Sequence, residues 1–348
     1  MDIKKYFEAA LQHQASDLHL VSGNKPSLRI DGNLQIIEDQ VLGSTDLEAA
    51  IFSMMEESDI DVYKKNKELD IALDINGGHF RVNLHQQEGH IGISARVIPE
   101  TIPDPQDINL DETLYRLTHL NQGLILVTGP SGSGKSTTLA VLIDLINKER
   151  RAHIITIEDP VEFIFHEKQS IIEQRELGRD TFSFDEALKR ALRQDPNVIM
   201  VGEMRDLETI SATLTAAETG HLVLSTLHTN NAPETIERIV DMFPSHRQQQ
   251  ILTQLSSSLR AVICQQMMPK KGGGVTVARE ILINTPAIAN LIREDKIAHI
   301  ASAMQTGRSE GMVTMQSSIK KLYEEGIIDE QVYINRTGRA GDSLSTYY

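Results

Sequence analysis

The sequence has 348 residues, of which 40% are hydrophobic and 24% are charged, and its formal net charge is -15. This composition is typical of a soluble globular protein and excludes a disordered chain, and the length allows two domains with separate cores. The single cysteine, Cys264, excludes an internal disulfide and a four-cysteine zinc site, and fits a reducing compartment. The acidic charge weighs against a surface that wraps nucleic acid, so we expect no nucleic-acid partner.

No apolar run approaches the ~18 residues that a membrane span needs. The amino-terminal residues MDIKKYFEAA also lack the apolar core of a signal peptide. We therefore expect a cytoplasmic protein.

The first hundred residues predict a small α+β domain. An amphipathic helix is expected over residues 1–14, and a strong hairpin signal, Asn76-Gly77-Gly78, joins two predicted strands. The predicted strands cover residues 16–21, 27–30, 34–37, 69–75, 79–85 and 91–98. We place this domain at residues 1–98 and find no catalytic motif in it.

A proline-rich, polar segment follows this domain. Pro99, Pro103 and Pro105 lie within it, and such a composition is typical of a linker rather than of a core. We predict an interdomain linker at 99–112, a second domain at 113–335, and a disordered polar tail at 336–348.

The second domain opens on a phosphate-binding loop. An apolar strand at 124–128 leads into a glycine-rich stretch and then into a helix with one apolar stripe. The pattern G-x-x-x-x-G-K-[ST] is fitted by Gly129, Pro130, Ser131, Gly132, Ser133, Gly134, Lys135 and Ser136, and Thr137, which follows, is a further candidate binding residue. Backbone N–H groups of such a loop surround phosphate oxygens, while Lys135 reaches the β- and γ-phosphates and Ser136 binds Mg²⁺. We therefore predict that ATP and Mg²⁺ bind here.

Further apolar runs alternate with helical segments. They lie at 153–157, 197–201 and 221–227, and their alternation with helices predicts a mostly parallel sheet covered on both faces. Ser183 and Glu186 form a capping box for one helix, and Asp206 is positioned to cap another. From Ser245 onward the pattern predicts helices, broken by the loop PKKGGG. The fold class is thus α/β.

Polar candidates for catalysis stand where these strands end. Glu203 follows the strand at 197–201, where it could bind Mg²⁺ through coordinated water. Glu158, Asp159 and Glu162 follow another strand, and any of these carboxylates could orient the attacking water, because spacing alone does not choose among them. His228 follows a fourth strand, where it could sense the γ-phosphate.

Taken together, these motifs resemble those of the type IV pilus retraction ATPases, the PilT-like branch of the type II/IV secretion ATPase superfamily. The matching motifs, in order, are GPSGSGKST, TIEDPVEF, VIMVGEMRDLET and TLHT, and LTAAETGH also matches. The likeness extends from SDLHL at residue 16 to about residue 330. It implies a homo-hexameric ring with a RecA-like P-loop ATPase domain and a PAS-like amino-terminal domain in each protomer, and ATP bound between the two.

The resemblance also implies residue roles. The catalytic base of the family matches Glu162, the Walker B acid matches Glu203, and the histidine of the histidine box matches His228. Arg81 and Arg96 match the amino-terminal-domain arginines that approach the nucleotide. The implied partners are other copies of the chain, an inner-membrane pilus platform protein and a paralogous pilus ATPase, with the ring peripheral at the inner face of the cytoplasmic membrane.

One motif departs from the family. The retraction signature AIRNLIRE is here AIANLIRE, with Ala289 in place of its first arginine, which puts coupling to the platform partner in doubt but not ATP chemistry. Two alternatives to a primary retraction motor therefore stay open: a PilU-like accessory retraction ATPase, and a nucleotide-gated ring module without productive turnover. Pilus assembly ATPases fit less well, since they carry a tetracysteine zinc element that one cysteine cannot form.

Overall fold

A computed structural model of the chain describes residues 1–30, 32–99 and 101–338 and divides the chain into two units. The first unit comprises Met1–Thr101 and the short segment Glu162–Ile164, and the second comprises Ile102–Val161 and the chain from Phe165 onward. No helix in the described ranges is long and apolar enough to cross a bilayer. Most of the predicted tail, residues 339–348, lies outside the described residues, and a helix continues through Thr337 at its start.

The first unit is built on an antiparallel sheet of six strands in the order β3-β2-β1-β6-β5-β4. Its elements are α1 (Lys4–Gln12), β1 (Asp17–Val21), β2 (Ser27–Ile30), β3 (Asn33–Ile36), α2 (Ser44–Phe52), α3 (Glu57–Asn66), β4 (Glu68–Ile75), β5 (Gly78–Gln87) and β6 (His90–Ile98).

The predicted hairpin is confirmed between β4 and β5. Asn76 and Gly77 both have positive φ, 49° and 81°, and Ile75 pairs with Gly78, which makes a two-residue turn. The alternating residues Phe80, Val82 and Leu84 of β5 are fully buried. One face of the strand therefore belongs to the core, as the alternation predicts.

The second unit contains a sheet of seven strands in the order β13-β12-β7-β11-β10-β8-β9. Its strands are β7 (Gly123–Thr128), β8 (His153–Glu158), β9 (Ile171–Glu176), β10 (Val198–Val201), β11 (Leu222–Leu227), β12 (Leu259–Pro269) and β13 (Val275–Ile283). Its helices are α4 (Glu112–Leu117), α5 (Lys135–Glu149), α6 (Phe184–Ala191), α7 (Leu207–Glu218), α8 (Ala232–Asp241), α9 (Ser245–Ser258), α10 (Pro286–Arg293), α11 (Ile300–Thr306), α12 (Met315–Glu324) and α13 (Glu330–Thr337).

The pairing of these strands confirms a mostly parallel sheet. Neighbouring strands from β12 to β9 run parallel, and only the edge strand β13 pairs antiparallel. Every residue of β7, β10 and β11 is buried, as is typical of central parallel strands that have helices on both faces.

Both predicted helix caps are confirmed. The Ser183 side chain accepts a hydrogen bond from the Glu186 N–H at the start of α6. The Asp206 carboxylate accepts one from the Thr209 N–H at 2.7 Å at the start of α7. Each cap satisfies an N–H that the first helical turn leaves without a partner.

Two parts of the sheet contradict the expectation from sequence. The region from Ser245 onward is helix-rich, as expected, but β12 and β13, which were not predicted, also lie within it and form a hairpin around the loop PKKGGG. The edge strand β9 was also not predicted. In both cases pairing with a distant strand decides the structure: β12 pairs with β7 and β9 pairs with β8.

The cysteine lies in the core of the second unit. Cys264 is fully buried in β12, burial raises the pKa of its thiol to about 12, and its Sγ accepts a hydrogen bond from Thr128 Oγ1 at 3.1 Å. Since only the thiolate reacts, we expect no alkylation of the native protein by iodoacetamide at pH 8, but rapid alkylation in concentrated guanidinium chloride. Mass spectrometry after timed labelling checks this, and equal labelling rates in both conditions would contradict it.

Candidate active site at the P-loop

Four adjacent strands of the second unit bring most of the candidate residues to one edge of the sheet. In the order β7-β11-β10-β8, the strands run parallel, so their carboxyl ends lie side by side. The P-loop follows β7, His228 follows β11, Glu203 follows β10, and Glu158 is the last residue of β8. In open parallel sheets this edge is where ligands bind.

The glycines of the P-loop are required by its conformation. Gly132 and Gly134 have φ of 75° and 84°, a region that side chains disfavour. Gly129 has φ 142°, and a Cβ there would collide with the Gln265 carbonyl oxygen and with Ser133 Oγ. The backbone is therefore free to approach a ligand closely.

The polar groups of the loop fit a polyphosphate. Ser133 Oγ is buried and has no hydrogen-bond partner among the residues that the structure describes, so a ligand oxygen would satisfy it. Lys135, which is 9% exposed and begins α5, donates from Nζ to the Gly129 carbonyl at 2.9 Å and to the Pro130 carbonyl at 3.1 Å. The start of a fifteen-residue helix and a buried ammonium together favour an anion at this position.

The remaining loop residues are placed for access to a ligand. Pro130, Ser131 and Gly132 are exposed, whereas Ser136 and Thr137 are partly buried in the first turn of α5. Within the described residues, no group of three or more His, Cys, Asp or Glu side chains is arranged to hold a metal ion. Nucleotide-bound Mg²⁺ usually takes most of its ligands from phosphate oxygens and water.

Glu203 is held in an ion pair that the sequence reasoning missed. Its carboxylate accepts a short hydrogen bond from the guanidinium of Arg205, which raises the pKa of Arg205. A second nitrogen of Arg205 lies 3.8 Å from Asp159 Oδ2. Arg205 stands two residues after Glu203 in the motif GEMRD, so the motif itself contained the signal.

His228 lies beside the same carboxylate. Its Nε2 is 3.7 Å from Glu203 Oε2, while Arg205 contacts the other carboxylate oxygen, Oε1. The segment that carries Glu203 is fixed to β11, because Thr226 Oγ1 donates to the Gly202 carbonyl at 2.6 Å and the Met204 N–H donates to the Thr226 carbonyl at 3.2 Å. Glu203 and His228 also line a cavity of about 360 Å³.

The three acids after β8 differ in their surroundings. Glu158 is 5% exposed and accepts hydrogen bonds from Thr156 Oγ1 at 2.6 Å and from Gln174 Nε2 at 3.2 Å. Asp159 faces Arg205, as described above. Glu162 is exposed and falls in the segment that is assigned to the first unit. A buried carboxylate with two donors is suited to support structure, whereas an exposed one can reach a ligand.

Arg81 and Arg96 both lie in the first unit. They occupy facing positions on the paired strands β5 and β6. Arg96 Nε donates to Asp17 Oδ1 at 2.9 Å, and Arg81 Nε lies 3.9 Å from Asp70 Oδ1. Their role toward a nucleotide stays a prediction.

Comparison with known proteins agrees with this geometry. The family model described as "Type II/IV secretion system protein" matches residues 1–335. The chain belongs to this family. It is 45% identical over 332 residues to the type IV pilus retraction ATPase PilT of Pseudomonas aeruginosa, with 95% of this chain and 96% of that protein covered. It is 36% identical to the type IV pilus ATPase PilU of the same organism, with 98% of this chain and 90% of that protein covered.

A solved structure is similar over nearly the whole chain. The crystal structure of the pilus retraction motor PilT with bound ADP matches with a TM-score of 0.91 and 45% sequence identity, and 96% of each chain is covered. The two-domain α/β architecture expected from sequence is therefore confirmed by a related protein that binds a nucleotide.

Proposed function

We propose that this chain is an ATPase that powers retraction of type IV pili as a homo-hexameric ring. The observation that carries the proposal is its 45% identity over 95% of the chain to a retraction ATPase. An intact P-loop, with Glu203 and His228 beside it on the same sheet edge, supports the chemical part. The identity to PilU is lower, at 36%, which favours the primary motor over the accessory one.

In this proposal, different residues of the chain bind the nucleotide, hold the cation and activate water. When bound, MgATP supplies the γ-phosphoryl group and the cation that neutralises its charge. The P-loop N–H groups and Lys135 would bind the phosphates, and Ser136 and, through water, Glu203 would hold the cation. Glu162 accepts the proton of the attacking water, and His228 contacts the γ-phosphate.

The first unit supplies the remaining groups in this proposal. Arg81 and Arg96 stabilise the transition-state charge, a role that is worth roughly 10³ to 10⁵ in rate for arginine fingers. We assign residues 1–98 to a PAS-like domain, 99–112 to the linker and 113–335 to the RecA-like domain. The ring acts in the cytoplasm at the inner face of the membrane, against a platform protein and beside a paralogous pilus ATPase.

The proposal is tested first with the purified protein. Steady-state ATPase activity is measured against protein concentration, with sizing of the same samples. We expect specific activity to rise as hexamers form. Hexamers that bind ATP but show no phosphate release in single-turnover experiments would instead support the nucleotide-gated ring module.

The retraction role needs a second experiment in the source organism. A strain that lacks this chain should accumulate surface pili and lose twitching motility, and the wild-type chain should restore both. Loss of surface pili would point to assembly rather than retraction. If the strain that lacks this chain still retracts its pili at the normal rate, the result would point to the accessory role.

A further inference from the structure

Strand β9 holds the loop that follows β8 at two places, one on each side of Glu162. The Val161 N–H donates to Glu176 Oε2 at 3.1 Å, and the Phe165 N–H donates to Gln174 Oε1 at 2.9 Å. Both backbone groups and both acceptors belong to the second unit. The three residues between the two bonded positions include the proposed base.

The Gln174 side chain links this loop to the buried acid of β8. Its Oε1 accepts from Phe165, while its Nε2 donates to Glu158 Oε1 at 3.2 Å. The opposite orientation of the amide would face its NH₂ group toward an N–H and its oxygen toward a carboxylate. The network therefore favours one orientation, and it ties Phe165 to Glu158 through a single side chain.

The two acceptors lie on one face of β9. Residues 174 and 176 are two positions apart, so their side chains project to the same side of the strand. Glu173 projects to the other side, where its carboxylate lies 3.4 Å from His153 Nε2 and its side chain is half exposed. The strand thus offers a matched glutamate on its opposite face.

We propose that Gln174 and Glu176, called here the β9 clamp, are positioning residues for Glu162. By bonding the N–H groups of Val161 and Phe165, they limit the positions that the segment between these residues can take. Orientation of a catalytic group contributes strongly to rate, and small displacements are costly. The inference rests on the proposed role of Glu162 and gives a function to β9, whose sequence carries no recognised motif.

The test uses full-length protein with substitutions that remove the acceptors but keep side-chain length. For Gln174→Met and Glu176→Met we expect kcat to fall by about 10- to 100-fold with little change in KM for ATP. Glu176→Gln keeps an acceptor oxygen and should restore kcat to near the wild-type value. Glu173→Met, on the opposite face, is the control and should leave kcat unchanged.

Hydrogen exchange of peptides that cover residues 161–165 is measured on the same variants without nucleotide. Faster exchange in both Met variants, but not in Glu173→Met or Glu176→Gln, is expected. Unchanged exchange, or faster exchange with normal kcat, would overturn the clamp. Because exchange needs no turnover, the exchange result does not depend on whether Glu162 is the catalytic base. If Glu162→Gln keeps its activity, Glu162 is not the base, even where the exchange data support the clamp.

Discussion

Replacing Glu162 with Gln is expected to reduce ATP turnover by about 10²- to 10⁴-fold while nucleotide binding is kept. The amide has the size of the carboxylate but cannot take a proton from water. Since Glu162 is exposed, its replacement should cost little stability. The measurement is steady-state phosphate release, together with the affinity for a fluorescent ATP analogue.

Glu167→Gln is the matched control for this substitution. Glu167 is exposed, lies five residues further along the same loop, and carries the same charge. We expect turnover within about twofold of wild type, as for most exposed substitutions away from a site. An equal loss of turnover in both variants would indicate a general effect of charge. Normal turnover in Glu162→Gln would show that Glu162 is not the base and that Asp159 or another group serves instead.

Much of the second unit could be predicted from sequence because its signals are local. The P-loop requires glycines at set positions, and Gly129 and Gly134 have the backbone conformations that explain them. The caps at Ser183 and Asp206 act within one helical turn, so their spacing is enough to find them. In the first unit, the signal for the hairpin at Asn76 is equally local, since a two-residue turn determines it.

The strands that were missed depend on distant partners. The sequence IIEQRE of β9 has two isoleucines followed by four polar or charged residues, so it lacks the alternation that marks an apolar face, and it becomes a strand by pairing with β8. The strand β12 contains three polar residues, Arg260, Gln265 and Gln266, and follows directly on helix α9. Its place beside β7 is a contact over more than a hundred residues, which periodicity does not report.

The candidate site also combines features that strand order predicts with contacts that it does not predict. Strand order brings Glu203 and His228 together, and an alternating α/β pattern is enough to expect this. Arg205 lies in the motif GEMRD two residues after Glu203, so its contact had a local signal, whereas Gln174 reaches Glu158 from the neighbouring strand β9 through a side-chain conformation that no spacing rule contains. In α10, Ile288 and Ile292 are buried, so the helix keeps its apolar face in spite of the departure at Ala289.

Replacing Lys135 with Ala is expected to abolish both tight nucleotide binding and turnover. In the structure its ammonium is 9% exposed and is satisfied by the carbonyls of Gly129 and Pro130. The same ammonium lies at the loop, so its loss removes a positive charge that would stabilise the bound phosphates in both the ground state and the transition state. Removal of one such stabilising donor costs about 10²- to 10³-fold in rate in other enzymes, and lost affinity adds to that.

Lys271→Ala provides the comparison for Lys135→Ala. Lys271 is exposed in the loop PKKGGG of the same unit, so its replacement removes one positive charge without altering the P-loop. Isothermal titration with ATP and Mg²⁺ should show normal affinity for Lys271→Ala and none for Lys135→Ala at the same concentrations. Thermal unfolding should be followed as well, because Lys135 also bonds the loop to the start of α5. If Lys135→Ala folds and still turns over ATP at the wild-type rate, the P-loop is not the catalytic site, and the roles proposed for its residues fail.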